Sequence, residues 1–354
     1  MSSQNTPSSP SPAWTRRRFL GMLGAGALAS GTVSLRAAET DRTIAVAAAF
    51  DRELREFMGP RKIPGGALAV VKDRRLVFAR GYGWADRENQ IAVQAGSRFR
   101  IASLSKPITA MAVMKLVEEG KLTLDTRAFD IVKLPPVLEP DAKVDPRLST
   151  ITLRQLLQHT AGWDSKKTPD PMFRSREIAH VVGVLCPPAP PIVIRYMLGR
   201  PLDFDPDTAF AYSNFGYCVL GRVIEAVSGL TYEMFVQQQV LAPMGIQRMQ
   251  IGASLADRRA EGEVRYYLSR KSTAASVFGD ATQKVPWPDG GFCLETMDAH
   301  GGWIASVVDL ARFASALDDP RRCPVLSGGT LRIMYDPPPA PVSRNRVGQL
   351  DDAY

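Results

Sequence analysis

The stretch from Phe99 to Asp125, FRIASLSKPITAMAVMKLVEEGKLTLD, constrains this chain more than any other, because it couples an apolar helix to a serine and a lysine at its opening. Ile108, Met111, Ala112 and Leu116 recur at helical spacing and make an apolar stripe. Pro107 belongs in a first helical turn, where a missing N–H costs nothing, and Gly120 is a natural stop. Ser103 and Lys106 are three residues apart, so a helix sets both on one face. A serine hydroxyl is a poor nucleophile at neutral pH, and a base one turn away, near a helix N-terminus, would activate it. Alone, Ser-x-x-Lys reads sooner as a helix cap beside a solvated lysine.

With 354 residues and 45% hydrophobic content, the chain can bury one large core or two modest lobes. Four arginines, Arg16, Arg17, Arg18 and Arg36, precede the first acidic residue, Glu39, and supply half of the net charge of +8. The remainder is too weakly basic to point to nucleic acid. Residues 1–38 read as a twin-arginine export signal: a polar start, then TRRRFL, then the small-residue apolar run GMLGAGALASGTVSL. That run is short for a membrane span and is read as cleavable, leaving no stable membrane anchor. The expected location is the periplasm, cell envelope or outside the cell. Cys186, Cys218, Cys293 and Cys323 form no Cys-x-x-Cys pair, and His159, His180 and His300 have no second ligand at metal spacing, so no metal or other cofactor is expected.

Along the chain, residues 43–58 keep a helical apolar period through Ile44, Ala47, Phe50, Leu54 and Phe57. Residues 67–72 and 76–81 read as a hairpin around Asp73-Arg74-Arg75, which needs further strands to be stable. Thr152 caps a short helix expected to end near Ala161-Gly162. Between Cys186 and Pro206 six prolines read as a rigid surface connection. Tyr212-Ser213-Asn214 then sits between an Asp-Pro turn and a helix over 215–228 closed by Gly229. A tyrosine on that loop can bring its phenol to Ser103, and Asn214 offers a donor and an acceptor to Lys106 or to a substrate amide.

FRIASLSKPIT followed by LVEEGKLTLD resembles the active-site helix of the serine β-lactamase and penicillin-binding family. YSNFGYCVLGRVIEAVSG followed by LAPMGI resembles the second motif and following helix of class C β-lactamases and their esterase and D-peptidase relatives. AHGGWIASVVDLARF continues the likeness as a Gly-Gly turn and a helix capped by Ser306 with Asp309, so that it spans roughly residues 42–335. The resemblance implies an α+β fold, an antiparallel sheet flanked by helices plus a mostly helical lobe. It implies one catalytic domain over 39–354, with an α/β lobe at about 39–120 and 300–354 and a helical and loop lobe at about 121–299.

It also implies an acyl-enzyme serine hydrolase acting on an ester, amide, D-peptide or β-lactam, a small-molecule or peptidoglycan-like acyl substrate. Ser103 would be the nucleophile, Lys106 its base or proton shuttle, Tyr212 the second acid/base, and Asn214 the residue that orients substrate and lysine. For Tyr212 to act as a base near neutrality its pKa must fall by about 3 units, roughly 4 kcal/mol, and a Lys106 ammonium is the obvious source. His159 reads as a structural hydrogen-bonder and His300-Gly301-Gly302 as a turn rather than a catalyst.

The family's third motif, Lys/His-Thr/Ser-Gly on a strand, has no match after Phe313, and Lys271-Ser272-Thr273 comes early and lacks the glycine. Between Trp303 and Tyr354 no β-rich run offers a partner to the hairpin. Together these set the expectation that the C-terminal strands are missing and the sequence is truncated. The missing motif also leaves open a different class, a non-catalytic module binding cell-wall fragments or an inactive relative of the same fold. If TRRRFL directs export, replacing Arg16 and Arg17 together with lysine leaves the protein in the cytoplasm on cell fractionation; normal export of that variant removes the twin-arginine reading.

Overall fold

The computed structural model describes residues 46–268 and 272–336. The export segment, Lys271 and the Pro-rich tail after Asp336 lie outside the described residues. Two compact units divide at Phe57 and Met58. The described part of the first lies in a helix, α1, over 46–58, whose last residue belongs to the second unit; Phe57 on it is exposed, and residues 43–45 of the expected helical period lie outside the described residues.

In the second unit β1 (Gly65–Lys72) and β2 (Arg75–Asp86) form the antiparallel hairpin. Asp73 and Arg74 both take positive φ, 50° and 63°, and alone make the turn, so Arg75 pairs with Lys72 as a strand residue. Both signs of φ match the right-handed twist of a two-residue hairpin loop. β2 runs five residues past the expected end at Gly81 and pairs with β3 (Ile91–Ala92). It can do so because Gly81 admits a neighbouring backbone where a Cβ would stand 2.0 Å from the carbonyl oxygen of Val93.

Next come β4 (Phe99–Arg100), a 3-10 turn over Ala102–Leu104, and α2 (Ser105–Glu118). The expected apolar stripe understates this helix. Val113 and Met114 are as buried as Ile108, Met111, Ala112 and Leu116, so α2 is enclosed on nearly all sides, as a helix at the centre of a core must be. Gly120, at φ 68°, ends it.

The stretch after it is helical: α3 (Ala128–Ile131), α4 (Leu153–Leu157), α5 (Ser175–Val182), α6 (Pro190–Leu198), α7 (Asn214–Ser228) and α8 (Tyr232–Val236). Thr152 and Gln155 form a reciprocal capping box on α4. That helix stops at Leu157, short of the expected Ala161-Gly162, and His159 takes φ 59° where the chain turns away.

The Pro-rich stretch proves to be no mere surface connection. Pro190 and Pro191 sit in the first turn of α6, where proline is tolerated, and Val193, Ile194, Met197 and Leu198 behind them are core residues. α7 has Ser213 as its N-cap and Gly229, at φ 72°, at its end.

β5 (Gln250–Ile251), the pair β6 (Thr273–Ala275) and β7 (Lys284–Pro286), α9 (Asp298–Gly301), β8 (Trp303–Ala305), α10 (Val307–Asp318) and α11 (Gly328–Tyr335) follow. β8 is the middle strand of a sheet ordered β4-β8-β5, antiparallel to both neighbours, so residues 121–299 contribute strands as well as helices. With three residues, all buried, β8 is too short to show alternation in sequence. It does not lengthen the hairpin, whose β1 edge has no paired strand among the described residues. The fold is α+β with antiparallel sheets. Because Gly81 lies against the Val93 carbonyl, Gly81→Ala is expected to destabilise the protein by about 1–3 kcal/mol in urea unfolding; an unchanged midpoint removes the close-packing argument.

Candidate active site

Ser103 leaves the end of β4 on a short, constrained path. The Ile101 N–H donates to the Trp303 carbonyl at 3.0 Å, tying the chain to β8, and Ala102 adopts φ 47°, an uncommon conformation for a residue with a Cβ. Ser103 therefore lies in the 3-10 turn, two residues ahead of α2, rather than within the α-helix. The expected facing of Ser103 and Lys106 survives this change. Lys106 Nζ donates to Ser103 Oγ at 3.2 Å.

Lys106 is 5% exposed and is surrounded by oxygen. Besides Ser103, its Nζ contacts the Tyr212 hydroxyl, Asn214 Oδ1 at 2.7 Å and the His300 carbonyl at 3.0 Å. Tyr212 closes the triangle, its hydroxyl 2.5 Å from Ser103 Oγ. An ammonium has three N–H bonds, fewer than the four oxygens present, so the cluster suits an amine that gives and takes protons. Burial disfavours its charged form and lowers the Lys106 pKa to about 7, with Asp170 pulling the other way. The faces of Tyr212 and Tyr217 pack against the amine, their centroids 4.5 and 5.7 Å from Nζ.

The second strip of the site is held by the start of α7. Ser213 Oγ accepts from the Gly216 N–H at 3.1 Å, which fixes the first turn and with it Asn214. His159 stands behind the loop: its Nδ1 accepts from the Ser213 N–H at 3.1 Å and its ring packs on Tyr212, 4.7 Å between centroids. Burial and the Lys106 charge push its pKa down to about 3, so it is a neutral acceptor at ordinary pH.

Sequence reading thus named four side chains that the structure brings together, Ser103, Lys106, Tyr212 and Asn214. It missed Asp170, whose Oδ2 accepts from Asn214 Nδ2 at 2.6 Å. The visible signal was Asp170-Pro171, a helix-start pair, and Asp170 Oδ1 indeed accepts from the Met172 N–H at 3.0 Å. It also missed the His300 carbonyl, since backbone atoms carry no sequence signature. The His300 ring itself is buried and held neutral by burial, Lys106 and Arg222.

α9, which carries that carbonyl, is anchored from two sides. Arg222 of α7 pairs with Asp298 at 2.6 Å, and Thr109 of α2 donates to the Ala299 carbonyl at 2.6 Å. Gly221 allows the approach, since a Cβ there would lie 2.7 Å from the Ala299 Cβ. Among the described residues no cluster of His, Cys, Asp and Glu could hold a metal ion, the four cysteines are free thiols, and no helix is long and apolar enough to cross a membrane.

The family model described as Beta-lactamase matches residues 50–337. The chain belongs to the beta-lactamase family. It is 30% identical over 284 residues to penicillin-binding protein 4 of Amycolatopsis lactamdurans, covering 77% of this chain and 65% of that one. It is 31% identical over 245 residues to a protein named for fimbrial assembly, FimD of serogroup D, from Dichelobacter nodosus, covering 69% of this chain and 54% of that one. The chain thus spans roughly half to two thirds of these curated relatives.

Among solved structures, the octameric penicillin-binding protein homologue from Pyrococcus abyssi superposes with a TM-score of 0.59 at 25% identity, over 80% of this chain and 59% of that one. EstCE1, described as a hydrolase with promiscuous acyltransferase activity, gives 0.58 at 20% identity over 82% and 76% of the two chains and shows the shared fold. The architecture is accordingly the β-lactamase/transpeptidase fold.

A lysine whose pKa falls on folding makes stability depend on pH. From about 7, the folded value, up to the ordinary lysine value of 10.5, the unfolded chain holds more protons at this position, so stability rises with pH. Wild type minus Lys106→Met is expected to show that rise across this window, at most about 1.4 kcal/mol per pH unit, in urea unfolding at successive pH values. A flat difference shows that the amine is not desolvated.

Proposed function

We propose that this beta-lactamase-family protein is an exported serine hydrolase that forms an acyl-enzyme on Ser103 and acts on an ester, amide, D-peptide or β-lactam. The observation that carries the reading is the triangle of Ser103 Oγ, Lys106 Nζ and the Tyr212 hydroxyl around an amine whose pKa is lowered to about 7. A group that titrates near the working pH is the most effective proton carrier. The relationship to a penicillin-binding protein supports an acyl substrate of the cell envelope, and TRRRFL ahead of an apolar run supports export by the twin-arginine route.

In the forward step Ser103 Oγ attacks the acyl carbon while its proton passes to neutral Lys106, directly or through the Tyr212 hydroxyl 2.5 Å away. The carbonyl π pair moves onto oxygen to give the tetrahedral intermediate. Its collapse expels the leaving group, which takes the proton back through Tyr212, and leaves the acyl group on Ser103. Water then repeats the sequence: its proton goes to the same pair, the acid departs, and Ser103 Oγ is reprotonated. Asn214 Oδ1 restrains the amine at 2.7 Å so that its lone pair can point at the hydroxyls. No step calls for a cofactor.

The test is acylation of the purified protein by a fluorophosphonate and by fluorescent penicillin, together with hydrolysis of p-nitrophenyl acetate. Wild type is expected to label at Ser103, and Ser103→Ala to lose both labelling and turnover. Lys106→Ala is expected to lose about 10²-fold or more in kcat/KM. The acid limb of kcat/KM is expected near pH 7, with activity rising as Lys106 loses its proton. A wild-type protein that takes no label supports the non-catalytic binding module, and persistent turnover in Ser103→Ala removes the nucleophile.

A further inference from the structure

We propose that Asp170 is a positioning residue for the amine of this site: through Asn214 it dictates which amide atom faces Lys106 and sets how readily that lysine holds its proton. The inference rests on the reading of Ser103 and Lys106 as a nucleophile and its base, but its geometry stands by itself. Asp170 Oδ2 accepts from Asn214 Nδ2 at 2.6 Å, and Asn214 Oδ1 accepts from Lys106 Nζ at 2.7 Å. A carboxylate cannot donate, so the Asn214 NH2 has to face Asp170, and the amide oxygen is left for the amine. Without Asp170 the amide is free to turn over and present an N–H edge to an ammonium, a repulsive contact.

Asp170 is itself held at both oxygens. Its Oδ1 accepts from the Met172 N–H at 3.0 Å, and Pro171 between them begins the 3-10 turn over Pro171–Phe173. The carboxylate is therefore aimed by its local turn and needs no support from Lys106. That independence makes it a device rather than a by-product of the lysine's charge.

Other groups facing Lys106 do not duplicate the role. Tyr212 and Tyr217 present hydroxyl and ring, and His159 and His300 are neutral imidazoles at ordinary pH. Arg222 is engaged by Asp298 at 2.6 Å and Glu225 at 2.7 Å. Asp170 is the anionic group that opposes the effect of burial on Lys106. Its removal should make the amine easier to deprotonate, so the sign of the effect on the pH profile is downward.

Asp170→Asn keeps an acceptor for Asn214 and removes the charge; Asp170→Ala removes both. The readout that does not depend on turnover is the titration of the Lys106 13Cε signal, assigned by its loss in Lys106→Arg. Both Asp170 variants are expected to lower the midpoint by about half a unit to one unit, and the acid limb of p-nitrophenyl acetate kcat/KM is expected to move with it. Asp170→Ala is expected in addition to lower the kcat plateau about tenfold, because the amide is no longer oriented. A midpoint that stays in place in Asp170→Asn, in a variant that still melts cooperatively, overturns the proposal whatever the protein's activity. Failure of Ser103 to label, with the midpoint displaced, overturns the hydrolase reading and leaves this one standing.

Discussion

The structure depends on a buried amine. Burying Lys106 costs free energy that only close oxygen partners offset, and those partners come from three separate parts of the chain: Ser103, the Tyr212-to-Asn214 loop and the carbonyl of His300. The packing around it follows from that demand. α2 is apolar almost all round because it lies between the elements that supply these oxygens. α9 is pinned by an Arg222–Asp298 ion pair and by Thr109, so that a backbone carbonyl is held still at 3.0 Å from the amine. Tyr232 serves the same end, sharing its hydroxyl with Thr109 at 2.6 Å and receiving the Trp303 indole N–H at 2.9 Å.

What could be read from sequence was what is local. Ser103, Lys106 and Pro107 lie within five residues, and the apolar period that follows them announces a helix by itself. Gly120 and Gly229 mark helix ends because only a residue without a Cβ takes positive φ freely. Tyr212 and Asn214 were legible because YSNFGYCVLGRVIEAVSG resembles a family motif; their local setting, with Ser213 as an N-cap, marks only a helix start. Contacts that close across the chain were hidden. Asp170 is 44 residues from Asn214, and its sequence surroundings describe only the turn it caps. The His300 carbonyl lies 194 residues from Lys106 and would serve equally with another side chain at that position.

Two misreadings share a physical cause. Prolines between Cys186 and Pro206 suggested a rigid surface connection, yet a proline pair at the start of a helix loses no hydrogen bond, and α6 buries its far face. β8 escaped notice because three residues cannot show a period of two. In each case tertiary burial, not local pattern, decided the conformation. The hairpin ran the other way: its strands were legible, but β2 outran its expected end at Gly81, where the glycine serves the close approach of the Val93 backbone.

Burial and Asp170 act on Lys106 in opposite directions, and their balance leaves its pKa at about 7. Burial alone, carried further, would leave an amine too weakly basic to take a proton from a hydroxyl. A carboxylate in direct contact would hold the ammonium charged through the whole working range. An amide placed between them gives an intermediate result: Asn214 passes on the orientation imposed by Asp170 while keeping the anion one side chain away from the nitrogen. The distance matters because the Coulomb term falls with separation while the hydrogen-bond geometry at the amine is unaffected. A lysine near pH 7 is thus built from two long-range choices, how deeply to bury it and how far off to keep its counter-charge, with Ser103 and Tyr212 as the atoms on which that choice acts.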